Sequence, residues 1–370
     1  MASLIDKLGA VADPRRGNAQ RHALLDILTI AVVASVCGAE SCVDFAEFAE
    51  DRAPLLREFL SLKNGLPSHD TFSRVFRLLD PAAFARAFEA FVDDLGAAGE
   101  GVLAIDGKTL RRSFDRAAGR SALHVVTAFG TGTRIAIAQK AVAEGQNETL
   151  AARAMLETLV LDGVLVTGDA MHAQAATAEV ILGRGGDYLF QLKANRPAMF
   201  REVEDFFADP PEALAVFETT DADHGRIETR RHRVSHDVHW LFSDRRHAGE
   251  PRLPGLACIA CVEAARTEPG RVGTSTRYFL SSAPLTPERL AAAVRGHWAI
   301  ENSLHWVLDV TFDEDRARNR RDSGPENLAI LRRLTLNLLN KARPNMSISR
   351  KRKRSGWSDP FARTIIGQMQ

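Results

Sequence analysis

Through the first hundred residues apolar side chains recur at three- and four-residue spacing: LLDILTIAVVASV at 24–36, CVDFAEFAEDRAPLLREFL at 42–60 and PAAFARAFEAFVDDL at 81–95. That period places them on one face of an α-helix, so 1–98 is expected to be all-helical. Within it, LPSHDTFSRVFRLLD puts Ser68 where it can cap a short helix. This helix carries His69, Arg74 and Arg77 beside the apolar Phe72, Val75, Phe76 and Leu79. The pattern suits a DNA-reading helix-turn-helix and a plain amphipathic helix equally. The small-residue run GAAGEG at 96–101 reads as a joint.

Beyond the joint the elements shorten. Residues 102–105 form an apolar strand, and 123–129 and 134–142 flank the turn GTGT as a hairpin. Helical spacing returns at 148–161 and 172–182, alternating with strands at 163–166 and 187–193. The order β-β-β-α-β-α-β predicts one mixed α/β sheet with helices on both faces. From 196 to 283 the texture is that of several short strands without long helices: Pro210 and Pro211, then IETRRHRV, LACIACV and RYFLSS. Helices resume at 286 and span 325–341. The organisation expected is a helical DNA-binding or accessory region at 1–98, the first part of a catalytic domain at 99–195 and a β-rich insertion at 196–284. Final catalytic helices follow at 285–345, and a basic tail at 346–370.

The 370 residues exceed the roughly 250–300 that one core usually serves, which agrees with several domains. The longest apolar stretch, 27–37, falls short of the ~20 residues of a membrane span, and the first residues lack a signal peptide's pattern. No membrane partner and a cytoplasmic location are therefore expected. Four cysteines, at 37, 42, 258 and 261, are too few for a disulfide framework. Cys258 and Cys261 have no second pair nearby to complete a zinc site. The net charge of +1 hides a segment, 316–354, with 13 Lys or Arg against Asp322 and Glu326. Such a segment can grip a polyanion, or be a solvated tail.

Asp106 follows GVLAI and Asp169 follows VLVTG, each directly after an apolar strand. If these strands are parallel neighbours, both carboxylates emerge at the carboxyl-end edge, where open α/β sheets place their ligands. Like charges so close favour a cation between them, and hard oxygen donors suit Mg²⁺ or Mn²⁺. The alternative is that both aspartates cap loops. A third acid, Glu301, lies in HWAIENSLHW, where His297, Glu301 and His305 at i, i+4 and i+8 fall on one helix stripe. A salt-bridged helix, or a zinc site using the two histidines, competes with a catalytic role, although the HExxH order is absent.

The segments GVLAIDGKTLRRS, VTGDAMHAQ, YLFQLKANRP and RGHWAIENSLHWVLDVTFDEDRARNR resemble the DDE transposases of bacterial insertion sequences, in the branch that includes the H-repeat-associated proteins. The likeness runs over almost the whole chain. It implies an RNase H-like catalytic domain with Asp106, Asp169 and Glu301 as its acidic triad and metal ligands. It further implies two Mg²⁺ or Mn²⁺ ions, terminal-repeat and target DNA as partners, a homodimer on DNA, and strand cleavage and transfer in the bacterial cytoplasm at the nucleoid. Some relatives carry Tyr, Arg and Lys seven before, four before and seven after the last acid; here those positions are Val294, His297 and Leu308.

Expected DNA contacts are His172, Lys193, Asn195, Arg196, His297, His305, Arg316 and Arg318. His172 has a helix-start role as its alternative. His297, protonated, would replace the relatives' arginine. Trp298 and Trp306 suit base stacking or, more simply, core packing.

Overall fold

The computed structural model describes residues 3–94, 101–223, 226–242, 253–268 and 271–369. Six helices come first: α1 (Leu4–Gly9), α2 (Leu24–Val36), α3 (Cys42–Asp51), α4 (Ala53–Leu56), α5 (His69–Leu78) and α6 (Pro81–Asp94). The mixed region has β1 (Gly101–Thr109), β2 (His124–Gly130), β3 (Ile135–Ala141), α7 (Glu148–Leu156), β4 (Val164–Gly168), α8 (Ala175–Gly183) and β5 (Asp187–Leu192). Then come α9 (Pro197–Ala208), β6 (Val216–Asp223), β7 (Arg226–Ser235), β8 (Cys258–Glu268) and β9 (Arg271–Ser281). The chain closes with α10 (Pro287–His297), α11 (Trp306–Thr311), α12 (Gly324–Lys341), α13 (Ile348–Trp357) and α14 (Asp359–Ile366). The expected joint at 96–101 lies outside the described residues except for Gly101. Two compact units result, one of Met1–Ala98, Gly107–Glu148 and Glu301–Gln370, the other of Gly99–Asp106 and Thr149–Ile300.

The first unit is built on two helices buried nearly all round, α2, which is apolar on every side, and α12, which buries several polar residues. α12 lies against α2, α5, α6, α13 and β3. Its polar residues are used as hooks. Asn337 donates to the Ala136 carbonyl at 2.8 Å and accepts from the Ala136 N–H at 2.9 Å, and Asn327 donates to the carbonyls of Phe76 and Leu79 at 2.8 and 2.9 Å. The N-terminal helices thus share one core with the C-terminal ones. α5 buries Phe72, Val75 and Phe76 and keeps His69 and Arg74 exposed. Ser68 stands at its N-cap, but its hydroxyl meets the Thr71 hydroxyl at 3.3 Å and caps no backbone N–H.

The segment expected as a basic tail is folded. Ser347 caps α13, Lys351 donates to the Leu339 and Ala342 carbonyls at 2.6 and 2.8 Å, and Arg352 binds the carbonyls of Ser35, Ala39 and Thr311. Long cationic side chains here donate to carbonyls at and just beyond helix ends.

In the second unit β1 pairs β4 and β4 pairs β5, both parallel, after which β5, β9, β8, β7 and β6 continue antiparallel. For 196–284 this corrects the expectation of several short strands without long helices. The β-rich segment extends the same sheet through the β5–β9 pairing, and it opens with a twelve-residue helix, α9, that buries Met199, Val203 and Phe207 at i, i+4 and i+8. Its strands are not short, since β8 and β9 each run eleven residues. α10 packs on β4, β6 and β7, adding Leu290, Ala293 and Val294 to a core with Leu165, Leu189, Ala260 and Phe279. Cys258 belongs to that core, whereas Cys261 meets Arg233 at 3.8 Å. Three residues apart in a strand, they face opposite sides and cannot share an ion. Among the described residues no helix is long and apolar enough to cross a membrane.

Candidate active site

The parallel pairing of β1 and β4 runs Gly101 with Val164 through Ala104 with Thr167. Asp106 and Asp169 stand two residues further along each strand. Asp169, just beyond the end of β4, retains an extended backbone (φ −73°, ψ −178°), whereas Asp106 lies inside β1, three residues before its end. Both are half-buried. Oδ1 of Asp169 accepts the Met171 N–H at 2.8 Å, which fixes the carboxylate at the start of a short 3-10 turn, Ala170–His172.

The loop after β5 is tied to this turn. Asn195 donates through Nδ2 to the Ala170 carbonyl at 2.7 Å, and Arg196 through Nε to the Ala173 carbonyl at 2.8 Å. Both hold loops together, while Lys193 next to them is exposed. His172 is 1% exposed, packed beneath Gly168, a place from which it meets solvent hardly at all.

His297 closes α10 in the same unit. Its Nδ1 lies 3.0 Å from the Thr167 hydroxyl. Burial pushes the imidazole down to about 4; Asp169 opposes the shift, and His172 and Lys193 add to it. At neutral pH the ring is therefore uncharged, contrary to the protonated stand-in for arginine that the sequence suggested. The regular stripe through 297, 301 and 305 is also lost, because residues Ile300–His305 form a π-helix. Its wider turn pairs i with i+5, so the i+4 spacing no longer stacks side chains in line. Trp298 is 41% exposed with the Arg277 guanidinium 5.1 Å above its ring, and Trp306 is 59% exposed, so neither is a core residue.

Glu301 is exposed and opens the first unit's C-terminal stretch. Downstream in that unit, His305 lies in a polar interior: burial pushes it down to about 3, helped by Arg333 and Lys108 and opposed by Glu314 and Glu148. Arg316, paired with Asp313 at 3.6 Å, and Arg318 are both exposed. Of the 13 cations in 316–354, Arg332, Arg333, Lys351 and Arg352 are buried. Sequence reasoning passed over Lys108, whose ammonium reaches Asp309 at 2.5 Å and Asp315 at 3.1 Å, and the pair His124–Glu148 at 2.7 Å. Their only signal was proximity to Asp106 and to element starts.

Asp106 and Asp169 are hard oxygen donors, the type that Mg²⁺ or Mn²⁺ takes from protein when phosphate and water complete its shell. Among the described residues no three Asp, Glu, His or Cys side chains are gathered around one point to hold an ion.

Comparison with known proteins adds an independent line. Residues 97–338 match the family model described as Transposase DDE domain, and residues 5–92 match the one described as DDE_Tnp_1-associated. The H repeat-associated protein YhhI of Escherichia coli is 33% identical over 346 residues, covering 92% of this chain and 90% of its own. An uncharacterized protein in the dhlA 3′ region of Xanthobacter autotrophicus is 40% identical over 284 residues, 75% of this chain and 93% of its own.

Proposed function

The chain belongs to the DDE transposase family, and from that premise we propose that it binds the terminal repeats of an insertion sequence and cleaves and joins DNA strands through Asp106, Asp169 and Glu301. The catalytic region is read as an RNase H-like fold acting as a homodimer on DNA. The observation that supports the reading is the parallel β1–β4 pairing, whose last printed partners, Ala104 and Thr167, each stand two residues before one of the two aspartates. Two Mg²⁺ or Mn²⁺ ions held by the three acids would neutralise the scissile phosphate and activate an attacking water or DNA 3′-hydroxyl.

The chain's own residues supply position and exclude charge where it is not wanted. The Met171 N–H orients Asp169, the neutral His297 braces Thr167 two residues before it, and Asn195 and Arg196 lock the loop beside it. Lys193, Arg316 and Arg318 are proposed as backbone-phosphate contacts, being cationic and exposed. His172 and His305 are kept as secondary contacts that a DNA-bound form would have to uncover.

The test is cleavage of DNA carrying the terminal repeats, with Mg²⁺, by the wild-type chain and by Asp169→Ala. Repeat-dependent nicking lost in the variant supports the proposal. Cutting of repeat-free DNA at the same rate would indicate a general nuclease, and no cutting at all a DNA-binding remnant.

A further inference from the structure

We propose that His124 and Glu148 are positioning residues for Asp106, acting through Gly107. The inference rests on the reading of Asp106 as a catalytic ligand.

In a strand, successive residues alternate between faces. Gly107 and Thr109 share one face of β1, and Lys108 shares the other with Asp106. On the first face His124 lies between two partners: Nε2 is 2.7 Å from Oε2 of Glu148, and Nδ1 is 2.8 Å from the Thr109 hydroxyl. One ring nitrogen faces the Glu148 carboxylate and the other the Thr109 hydroxyl, so both ring nitrogens are used. The hydrogen-bonded pair occupies the space that a side chain at Gly107 would need. A Cβ built there falls inside van der Waals contact with both Glu148 Oε2 and His124 Nε2. Only glycine lets the pair approach the backbone so closely.

On the other face Lys108 is held by Asp309 at 2.5 Å and Asp315 at 3.1 Å and is 8% exposed. After Asp106, Lys108 is therefore held on one side by ion pairs and Thr109 on the other by a hydrogen bond, with His124 and Glu148 filling the space at Gly107. Displacing the end of β1 would move the Asp106 carboxylate, and small displacements of a reacting or ligating group are costly in rate. Groups that fix a ligand's orientation typically matter by about 10–100-fold in metal affinity or activity.

The experiment uses full-length protein with Mg²⁺ and terminal-repeat DNA. His124→Ala and Glu148→Ala should each lower the cleavage rate at saturating DNA by about 10–100-fold and raise the Mg²⁺ concentration for half-maximal rate, with unchanged DNA affinity. Glu148→Gln, which keeps an oxygen acceptor for the imidazole N–H, should retain most of the rate. Gly107→Ala should behave like the two alanine variants. Asp106→Ala is the control: if it still cleaves, the reading of Asp106 fails. If it is inactive while His124→Ala and Glu148→Ala match wild type in rate and Mg²⁺ dependence, the positioning role alone is overturned. It is equally overturned if these variants lose DNA binding and thermal stability together with activity, or if Glu148→Gln is as impaired as Glu148→Ala.

Discussion

Glu314 is the carboxylate on which the interior of the first unit depends. It is 1% exposed, with Arg333 at 3.2 Å, Lys108 at 3.7 Å and Arg332 at 3.8 Å. Lys108 has Asp309 and Asp315 as well, whereas Arg333 is fully buried and otherwise bonds only neutral groups, the Thr127 hydroxyl and the Ala329 carbonyl. Glu314→Met removes the acid, keeps most of the volume, and leaves the Arg333 charge without its counter-ion. Removing one partner of a buried pair costs about 3–5 kcal/mol. At roughly 2–4 °C per kcal/mol for a unit of this size, the thermal midpoint should fall by about 10 °C. Arg333→Met added to Glu314→Met removes the stranded charge, and the double variant should recover at least about 2 kcal/mol over the sum of the singles.

Circular dichroism melts of the four proteins at pH 7.5 measure this cycle. A Glu314→Met variant within about 1 kcal/mol of wild type, or strictly additive singles, would refute the argument. The pH dependence adds a check. Burial raises the Glu314 carboxyl, but Arg333, Arg332 and Lys108 outweigh it and hold the group below its ordinary value. A depressed acid contributes stability above its unfolded pKa of 4.5, and that contribution is lost as pH falls through the folded value. The Glu314→Met deficit should thus shrink on acidification below pH 4.5.

Asp106→Ala, Asp169→Ala and Glu301→Ala should each abolish cleavage and leave DNA binding intact in a gel-shift assay; full activity in any of them removes that residue from the triad. Neutralising the exposed Arg350, Lys353 and Arg354 should lower the slope of log affinity against log salt by about 2–3 if all three meet phosphates, and an unchanged slope denies them that role. Lys351→Ala, by contrast, should lower the unfolding midpoint, because it strips donors from the Leu339 and Ala342 carbonyls. His297, at about 4, and His305, at about 3, lie below the unfolded value of 6.5, so the unfolded chain takes up protons first as pH falls. Each should cost about 1 kcal/mol of stability at pH 5.5 relative to pH 7.5, and urea titrations that coincide at the two values would contradict the burial of both rings.

What the sequence made legible was what repeats. The helices of the first hundred residues, the hairpin and the strand before Asp169 announce themselves through period 3.6 or 2, although the run at 42–60 breaks into α3 and α4 and the strand expected at 102–105 continues through Asp106 to Thr109. α9 was missed because its apolar positions, Met199, Val203 and Phe207, are four residues apart and follow Pro197, in a segment whose prolines and alternations suggested strands. Proline at a helix's first position is compatible with the helix, since that N–H needs no partner. The π-turn at Ile300–His305 has no composition of its own, so a regular α-helical stripe was the natural but incorrect extrapolation for His297, Glu301 and His305. Pairing partners were likewise out of reach, because β9 joins β5 across more than eighty residues of chain.

Charge was the least legible property, and the reason is physical. A count over 316–354 treats every cation as solvated, yet a guanidinium or ammonium on a long stem can equally close a helix end or offset a buried acid. Arg352 does the first for Ser35 and Ala39, Lys351 for Leu339 and Ala342, and Arg332 and Arg333 do the second for Glu314. The cations left for a polyanion in that stretch are the exposed ones, Arg316, Arg318, Arg321, Lys341, Arg343, Arg350, Lys353 and Arg354. Folding therefore draws on the buried members of this basic run, and a truncation that removes α13 and α14 would confound folding with any polyanion binding by the exposed ones. Point substitutions at exposed and buried cations separate them, since the first should change only salt dependence and the second only stability.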